Sequence, residues 1–261
     1  MGKIRVDVLL VERGLAESRS QAQRLVMAGQ VRANGQLVQK PATSVTPDTL
    51  LEVDQGPPFV SRGGEKLEAA LASFYLDVHE KVCADVGAST GGFTDCLLQN
   101  GAARVYAIDV GHGILHWKLR QDPRVVVMER TNARYLESLP EPVSLTTVDA
   151  SFISLKILLP VVQGWFPGEG GEVVTLIKPQ FEAGREAVSR GEGVIRDPLI
   201  HRQVLFEVLE FAQGAGYQAK GLIRSPLLGP KGNAEFLAWL GYPGAGPAAL
   251  EPWIDEALSE D

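Results

Sequence analysis

Residues 82–98 constrain this chain more than any other stretch. The apolar run Val82-Cys83-Ala84 leads into Asp85-Val86-Gly87-Ala88-Ser89-Thr90-Gly91-Gly92-Phe93-Thr94-Asp95, and then into Cys96-Leu97-Leu98. That order reads as strand, glycine-rich turn and helix. Glycine lets a backbone turn sharply and approach a ligand closely. The helix that follows opens on N–H groups without intrahelical partners. The next apolar run, Val105-Tyr106-Ala107-Ile108, ends in Asp109, 18 residues after Gly91. A carboxylate near that distance can grip the two hydroxyls of a ribose. The stretch therefore predicts a pocket for a nucleoside-containing ligand.

From Lys81 onward strand-like and helix-like segments alternate. Strands are expected near 82–86, 104–108, 124–128, 143–148, 172–177, 218–223 and 235–240. Helices are expected over Lys66–Phe74 and Leu155–Val162, and from an Asp197 cap and Pro198 to about Gly214. Such alternation predicts an α/β fold, a mostly parallel sheet covered on both faces. The last two strands form a hairpin-like pair, so the last strand is expected to run antiparallel. Residues 5–53 read differently. Two short helices end at Gly14 and Gly29, and Ser18 is placed to cap the second. Asn34-Gly35 between two alternating runs predicts a tight hairpin. The expected division is a small domain over 1–54, a linker over 55–60 and a larger domain over 61–261.

Charge is distributed unevenly. The chain carries −7 overall, which argues against nucleic acid if taken whole. Residues 1–40, however, hold seven basic and three acidic side chains, a local balance of +4. Cys83 and Cys96 make neither a disulfide framework nor a metal spacing, so no metal is expected and a reducing cytoplasm fits best. Met1-Gly2-Lys3-Ile4-Arg5 is not a secretory leader. No apolar run approaches the roughly 18 residues that span a bilayer.

The glycine spacing narrows the ligand. Gly87 followed by Gly91-Gly92 fits G-x-G-x-x-G poorly, and no lysine follows Gly92 as a P-loop requires. A ligand with an amino-acid portion, a ribose and an adenine remains. Asp85 could receive its ammonium, Asp109 its ribose hydroxyls, and Thr131-Asn132-Ala133-Arg134 could edge its adenine. The implied ligand is S-adenosylmethionine. Asp149 and Lys178 close the fourth and fifth strands and so face the same crevice. A lysine at the end of an apolar strand needs a partner; taken alone, this pair reads equally as a structural ion pair.

Several long stretches carry a resemblance. Val60-Ser61-Arg62-Gly63-Gly64-Glu65-Lys66-Leu67, residues 85–95, Glu129-Arg130-Thr131-Asn132-Ala133-Arg134, Ser151-Phe152-Ile153-Ser154-Leu155, Lys178-Pro179-Gln180-Phe181 and residues 225–236 closely resemble the hemolysin A (TlyA) family of ribosomal RNA 2′-O-methyltransferases. The larger half also resembles FtsJ-type methyltransferases. The resemblance implies a Rossmann-like class I methyltransferase fold. It implies a catalytic tetrad of Lys66, Asp149, Lys178 and Glu235. The cofactor is expected on Asp85, Gly87, Ser89, Thr90, Gly91, Gly92, Phe93, Asp109, Val110, Asn132, Ala133 and Asp149. The first domain is similar to the small RNA-binding domain of a ribosomal protein and of pseudouridine synthases. There Arg5, Arg19, Ser20, Gln21, Arg24, Arg32 and Asn34 would contact phosphate and sugar, joined by Arg62 further on.

The expected activity is transfer of a methyl group to the 2′-hydroxyl of a ribose, a cytidine by the resemblance, in 23S and also 16S ribosomal RNA. Lys178 would assist the hydroxyl as a base or as a cation steadying the alkoxide. The partners are ribosomal RNA and ribosomal subunits, with no membrane. Two alternatives stand beside this: a membrane-active cytolysin, as the family's historical name suggests, and a methyltransferase of another substrate. The first lacks a spanning segment or a long basic amphipathic helix. The segment Gly184–Arg196, with Arg185, Arg190, Gly191, Gly193 and Arg196, reads as a loop that could close on RNA.

Overall fold

The computed structural model describes every residue except Met1, Gln55, 185–192, 247–248 and 260–261. The chain divides into two compact units, Met1–Pro58 and Phe59–Asp261.

The first unit runs β1 (Ile4–Arg5), α1 (Val6–Glu12), α2 (Arg19–Met27), β2 (Val31–Ala33), β3 (Gln36–Leu37), β4 (Ser44–Val45) and β5 (Leu51–Val53). Ser18 caps α2, its hydroxyl accepting from the Gln21 N–H. β3, β2 and β5 form one antiparallel sheet, and β1 pairs with β4. The β2–β3 turn places Asn34 at φ 49° and Gly35 at φ 77°. Positive φ at both positions is what a two-residue turn of this hand requires, and Asn-Gly tolerates it best. Val6, Leu9, Leu10, Ala22, Val26 and Val31 make the small core.

The second unit is built on one seven-stranded sheet. Its elements are α3 (Gly63–Ser73), β6 (Val82–Val86), α4 (Gly92–Gln99), β7 (Arg104–Ile108), α5 (Trp117–Arg120), β8 (Val125–Met128), β9 (Leu145–Val148), α6 (Leu155–Val162), β10 (Gly171–Ile177), α7 (Pro179–Glu182), α8 (Pro198–Gly214), β11 (Gln218–Arg224), β12 (Phe236–Tyr242) and α9 (Glu251–Ser259). The strand order is β11-β12-β10-β9-β6-β7-β8. Strands β6 to β10 pair in parallel, while β12 runs antiparallel between β10 and β11. The expected antiparallel last strand is thus present, inserted inside the sheet. Two apolar clusters cover the two faces of the sheet. Helix α3 begins at Gly63, three residues before the expected Lys66.

Topology explains why chemistry gathers at one edge. The chain leaves β6 toward β7 and β8, then crosses back so that β9 lies on β6's other side. Connections diverge there, which opens a crevice at the carboxyl ends of the strands. Gly87, Asp109, Asp149 and Lys178 each follow directly on a parallel strand. Glu235 precedes its strand instead. Because β12 is antiparallel, with Phe236 opposite Ile177, that position comes to the same edge.

Candidate active site

Two adjoining cavities lie at this edge, of about 370 and 280 Å³. Gly87, Ser89 and Asp149 line both. Gly87 opens the turn that leads to Thr90 and stands at φ 84°. A Cβ on Gly87 would lie 2.5 Å from the Asp149 carbonyl oxygen, so the two strand ends can approach only with glycine there.

The first cavity contains two lysine–carboxylate pairs. Lys66 Nζ lies 2.5 Å from Glu235 Oε2, and Lys178 Nζ lies 2.6 Å from Asp149 Oδ1. All four side chains line it, with Ser61, Arg62, Phe93 and the Leu227–Pro230 turn. Lys178 is 8% exposed and Glu235 1%. Lys178 also donates to the Ser151 hydroxyl at 3.0 Å. The Lys178–Asp149 contact is close in distance, but Asp149 Oδ1 has no partner in hydrogen-bond geometry, so the pair holds by charge. Glu235 Oε1 is buried and has no hydrogen-bond partner. That oxygen packs against Gly229, where a Cβ would lie 1.9 Å from it, so the close approach of the Leu227–Pro230 turn requires glycine.

The second cavity is lined by Asp109, Val110, Asn132, Ala133 and Ser151, with Ile108, Phe152 and Leu158 among its apolar walls. The Asp109 carboxylate accepts the Ser89 N–H at 2.8 Å and the Gly111 N–H at 2.6 Å. Those bonds fix its orientation and use one lone pair on each oxygen. Asn132 lines this cavity and accepts the Arg134 N–H through its side-chain carbonyl at 3.2 Å.

Asp85 and Gly91 line neither cavity. Gly91 faces Leu115 and Leu119. The Asp85 carboxylate is fully buried and accepts the Thr94 hydroxyl at 2.7 Å and the Thr147 hydroxyl at 3.0 Å. Burial pushes its pKa up to about 6, against those two hydroxyl donors. Asp85 therefore lies under the glycine turn and ties β6, β9 and α4 together. The sequence expectation gave Asp85 a direct contact with a ligand ammonium. A strand-end acid looks the same in sequence whether it faces the crevice or the core.

In the first unit, the basic residues are not uniformly displayed. Asp7 is fully buried and accepts Arg5 through two nitrogens at 2.9 and 2.8 Å, Arg19 Nε at 3.1 Å and Gln23 at 2.9 Å. The Arg5 guanidinium holds the Asp7 carboxyl well below the usual carboxylate range. Arg32 reaches the Gly35 carbonyl, Asn34 accepts the Leu50 N–H, and Gln21 accepts the Glu17 N–H. Ser20 and Arg24 lie exposed along α2. Of the expected RNA-closing loop, Gly184, Gly193 and Arg196 are described, while Arg185, Arg190 and Gly191 lie outside the described residues.

Ser151, Phe152 and the Leu227–Pro230 turn belong to the site without having been given roles from sequence. Phe152 is 90% exposed at φ 64°, with its ring 4.9 Å from that of Phe181. Among the described residues no cluster of side chains could hold a metal, and no helix is long and apolar enough to cross a membrane.

Known proteins share this division into two domains and this fold. An FtsJ-like methyltransferase family matches residues 59–242, and an S4 domain matches residues 4–51. A 16S/23S rRNA (cytidine-2′-O)-methyltransferase, TlyA, of Mycobacterium tuberculosis is 48% identical over 242 residues, covering 91% of this chain and 90% of that protein. The chain belongs to the TlyA family of rRNA methyltransferases. A Bacillus subtilis family protein, YqxC, provisionally named an rRNA methyltransferase, is 50% identical over 256 residues, 95% of this chain and 89% of that one. A solved structure from Streptococcus thermophilus, provisionally named a hemolysin, has 47% identity and a TM-score of 0.75, covering 100% of this chain and 96% of its own. Members of the TlyA family thus carry both names on one fold.

Proposed function

We propose that this chain transfers the methyl group of S-adenosylmethionine to the 2′-hydroxyl of a cytidine ribose in ribosomal RNA, with 23S RNA the first acceptor and 16S RNA a second. The name of the Mycobacterium relative carries both RNAs. The observation that carries the reading is Asp149, which lines both cavities and pairs with Lys178 at their junction.

The residues present fit the cofactor. The second cavity offers a carboxylate, Asp109, held by two backbone N–H groups with lone pairs left for a ribose diol. Its apolar walls and the Asn132 amide suit an adenine. When bound, S-adenosylmethionine supplies an activated methyl on a sulfonium, so no acid is needed for the leaving group. The chain's task is to bring a ribose hydroxyl in line and to deal with its proton. Lys178 is aimed by Asp149 on one side and by Ser151 on the other. It either takes the hydroxyl proton or, as a cation, steadies the developing alkoxide. Glu235, held by Lys66, lines the same cavity and would help to set the geometry of the ribose there. Arg62 at the rim and the basic S4 unit would bind phosphates, positioning the RNA without reading its bases. With a ribosomal substrate the protein would work in the cytoplasm.

The test is incubation of purified 30S and 50S subunits with donor labelled in its methyl group. Label in the RNA fraction is expected. Label confined to protein, or to neither subunit, contradicts the proposal.

A further inference from the structure

We infer that Glu182 is a positioning residue for methyl transfer: it locks the loop after β9, which carries Asp149 and Ser151, to the turn after β10, which carries Lys178. The inference rests on the function proposed above.

Glu182 stands four residues after Lys178. Within that turn the Phe181 and Glu182 N–H groups donate to the Lys178 carbonyl at 2.9 and 3.3 Å, so the two residues move as one piece. One Glu182 oxygen accepts the Ser154 hydroxyl at 2.6 Å, and the other accepts the Leu155 N–H at 2.8 Å. Leu155 is the first residue of α6. The carboxylate thus caps a helix to which it does not belong, and its charge meets the positive end of the helix dipole. Ser154 completes the link, donating to Glu182 while accepting from the Lys156 N–H at 3.2 Å.

The loop from Asp149 to Ser154 needs such a link. Phe152 adopts φ 64°, a region unfavourable for a bulky side chain. It persists only where surrounding contacts over-determine it. Three ties do so: Lys178 to Asp149, Lys178 to Ser151, and Glu182 to the start of α6. The first two are made by the reacting group itself. Glu182 lines neither cavity, and its carboxylate is engaged by Ser154 and Leu155, so its route to the reaction is the loop that it fixes.

The experiment compares single-turnover methyl transfer to ribosomal subunits with donor Kd and with the unfolding midpoint. Glu182→Gln keeps the size and one acceptor. Its rate is expected to fall roughly tenfold or more, because small misplacements at a reacting centre are amplified. Donor Kd should weaken by less than the rate falls, because the loop that Glu182 fixes also lines the donor cavity while the reacting group loses its alignment as well. Ser154→Ala removes one of the two bonds and should lose less, and the double variant should be no slower than Glu182→Gln. In a Lys178→Ala background, Glu182→Gln should change the residual rate less than about twofold, because the route through Lys178 is already gone. Full activity of Glu182→Gln, or an unreduced loss in the Lys178→Ala background, overturns the inference. If Glu182→Gln does not fold, Ser154→Ala in both backgrounds carries the same test. A wild-type protein that methylates no ribosomal RNA overturns the proposed function and this inference with it. Wild-type activity with an unimpaired Glu182→Gln overturns the positioning role alone.

Discussion

Replacing Gly87 with alanine separates a backbone strain from a site distortion, and a second glycine supplies the control. Gly113 also has positive φ, at 73°, but a Cβ there would meet nothing within 4 Å. Gly113→Ala should therefore show only the left-handed penalty, about 1–2 kcal/mol. Gly87→Ala carries the same penalty and also drives a Cβ to 2.5 Å from the Asp149 carbonyl oxygen. The strand-end loop after β9 must retreat by about 0.9 Å, from 2.5 to 3.4 Å, to restore an ordinary contact. Overpacking of that kind costs about 1–3 kcal/mol more. Such a sum is tolerable for a domain with roughly 5–15 kcal/mol of stability, so the variant should fold. Tryptophan fluorescence in urea reports the relevant unit alone, because all four tryptophans, Trp117, Trp165, Trp239 and Trp253, lie beyond Pro58. Gly87→Ala should unfold at lower urea than Gly113→Ala, and its donor affinity should fall by about tenfold or more, since the displaced backbone bounds both cavities. Equal stability of the two variants, with donor affinity unchanged, would refute the close-approach argument.

Three further outcomes follow from the same geometry. Burial raises the Asp85 pKa to about 6, so Asp85 favours the folded state fully below the unfolded value near 4 and loses that contribution as pH rises through about 6. Over that window wild type should lose on the order of 3 kcal/mol relative to Asp85→Asn, and parallel urea midpoints for the two proteins between pH 4 and 7 would contradict it. Glu235→Ala strands the Lys66 ammonium in a mostly buried position and should lower stability by about 3–5 kcal/mol, read by the same fluorescence assay; a change within experimental error rules out a structurally important pair. Arg24→Ala, on the exposed side of α2, should weaken RNA binding and reduce the salt dependence of log K by about one. An unchanged salt slope would remove Arg24 from the RNA contact surface.

Local features were legible in the sequence because their causes are local. The Asn34-Gly35 hairpin, the Asp197-Pro198 helix start and the strand after Lys81 follow from turn chemistry, capping and periodicity within a few residues. The antiparallel β12 was legible as one of a hairpin-like pair, though its insertion between β10 and β11 was not. Pairing across long separations left no local signal. Lys66 and Glu235 stand 169 residues apart and meet only because β12 reverses direction. Asp85 and Asp109 look alike in sequence, each beside a strand end. One is drawn under the turn by Thr94 and Thr147, while the other is held at the cavity by Ser89 and Gly111. Arg5 and Arg19 read as display residues, yet both are anchored by a buried acid, Asp7, that composition counts only as a subtraction from charge. Ser151 sits in a stretch that was singled out and Glu182 directly follows one, but their partners are set by how two strand-end loops close on each other.

The central claim is that Lys178, aimed by Asp149, assists a ribose hydroxyl of ribosomal RNA as it takes the methyl group of the donor. It is tested most directly by the identity of the methylated nucleoside. Subunits treated with wild type or with Lys178→Ala are digested to nucleosides and analysed by mass spectrometry, with donor binding to both proteins measured in parallel. The account predicts 2′-O-methylcytidine with wild type, and a loss of about a hundredfold or more with Lys178→Ala while donor binding is kept. A base-methylated nucleoside, or full ribose methylation by Lys178→Ala, would contradict it.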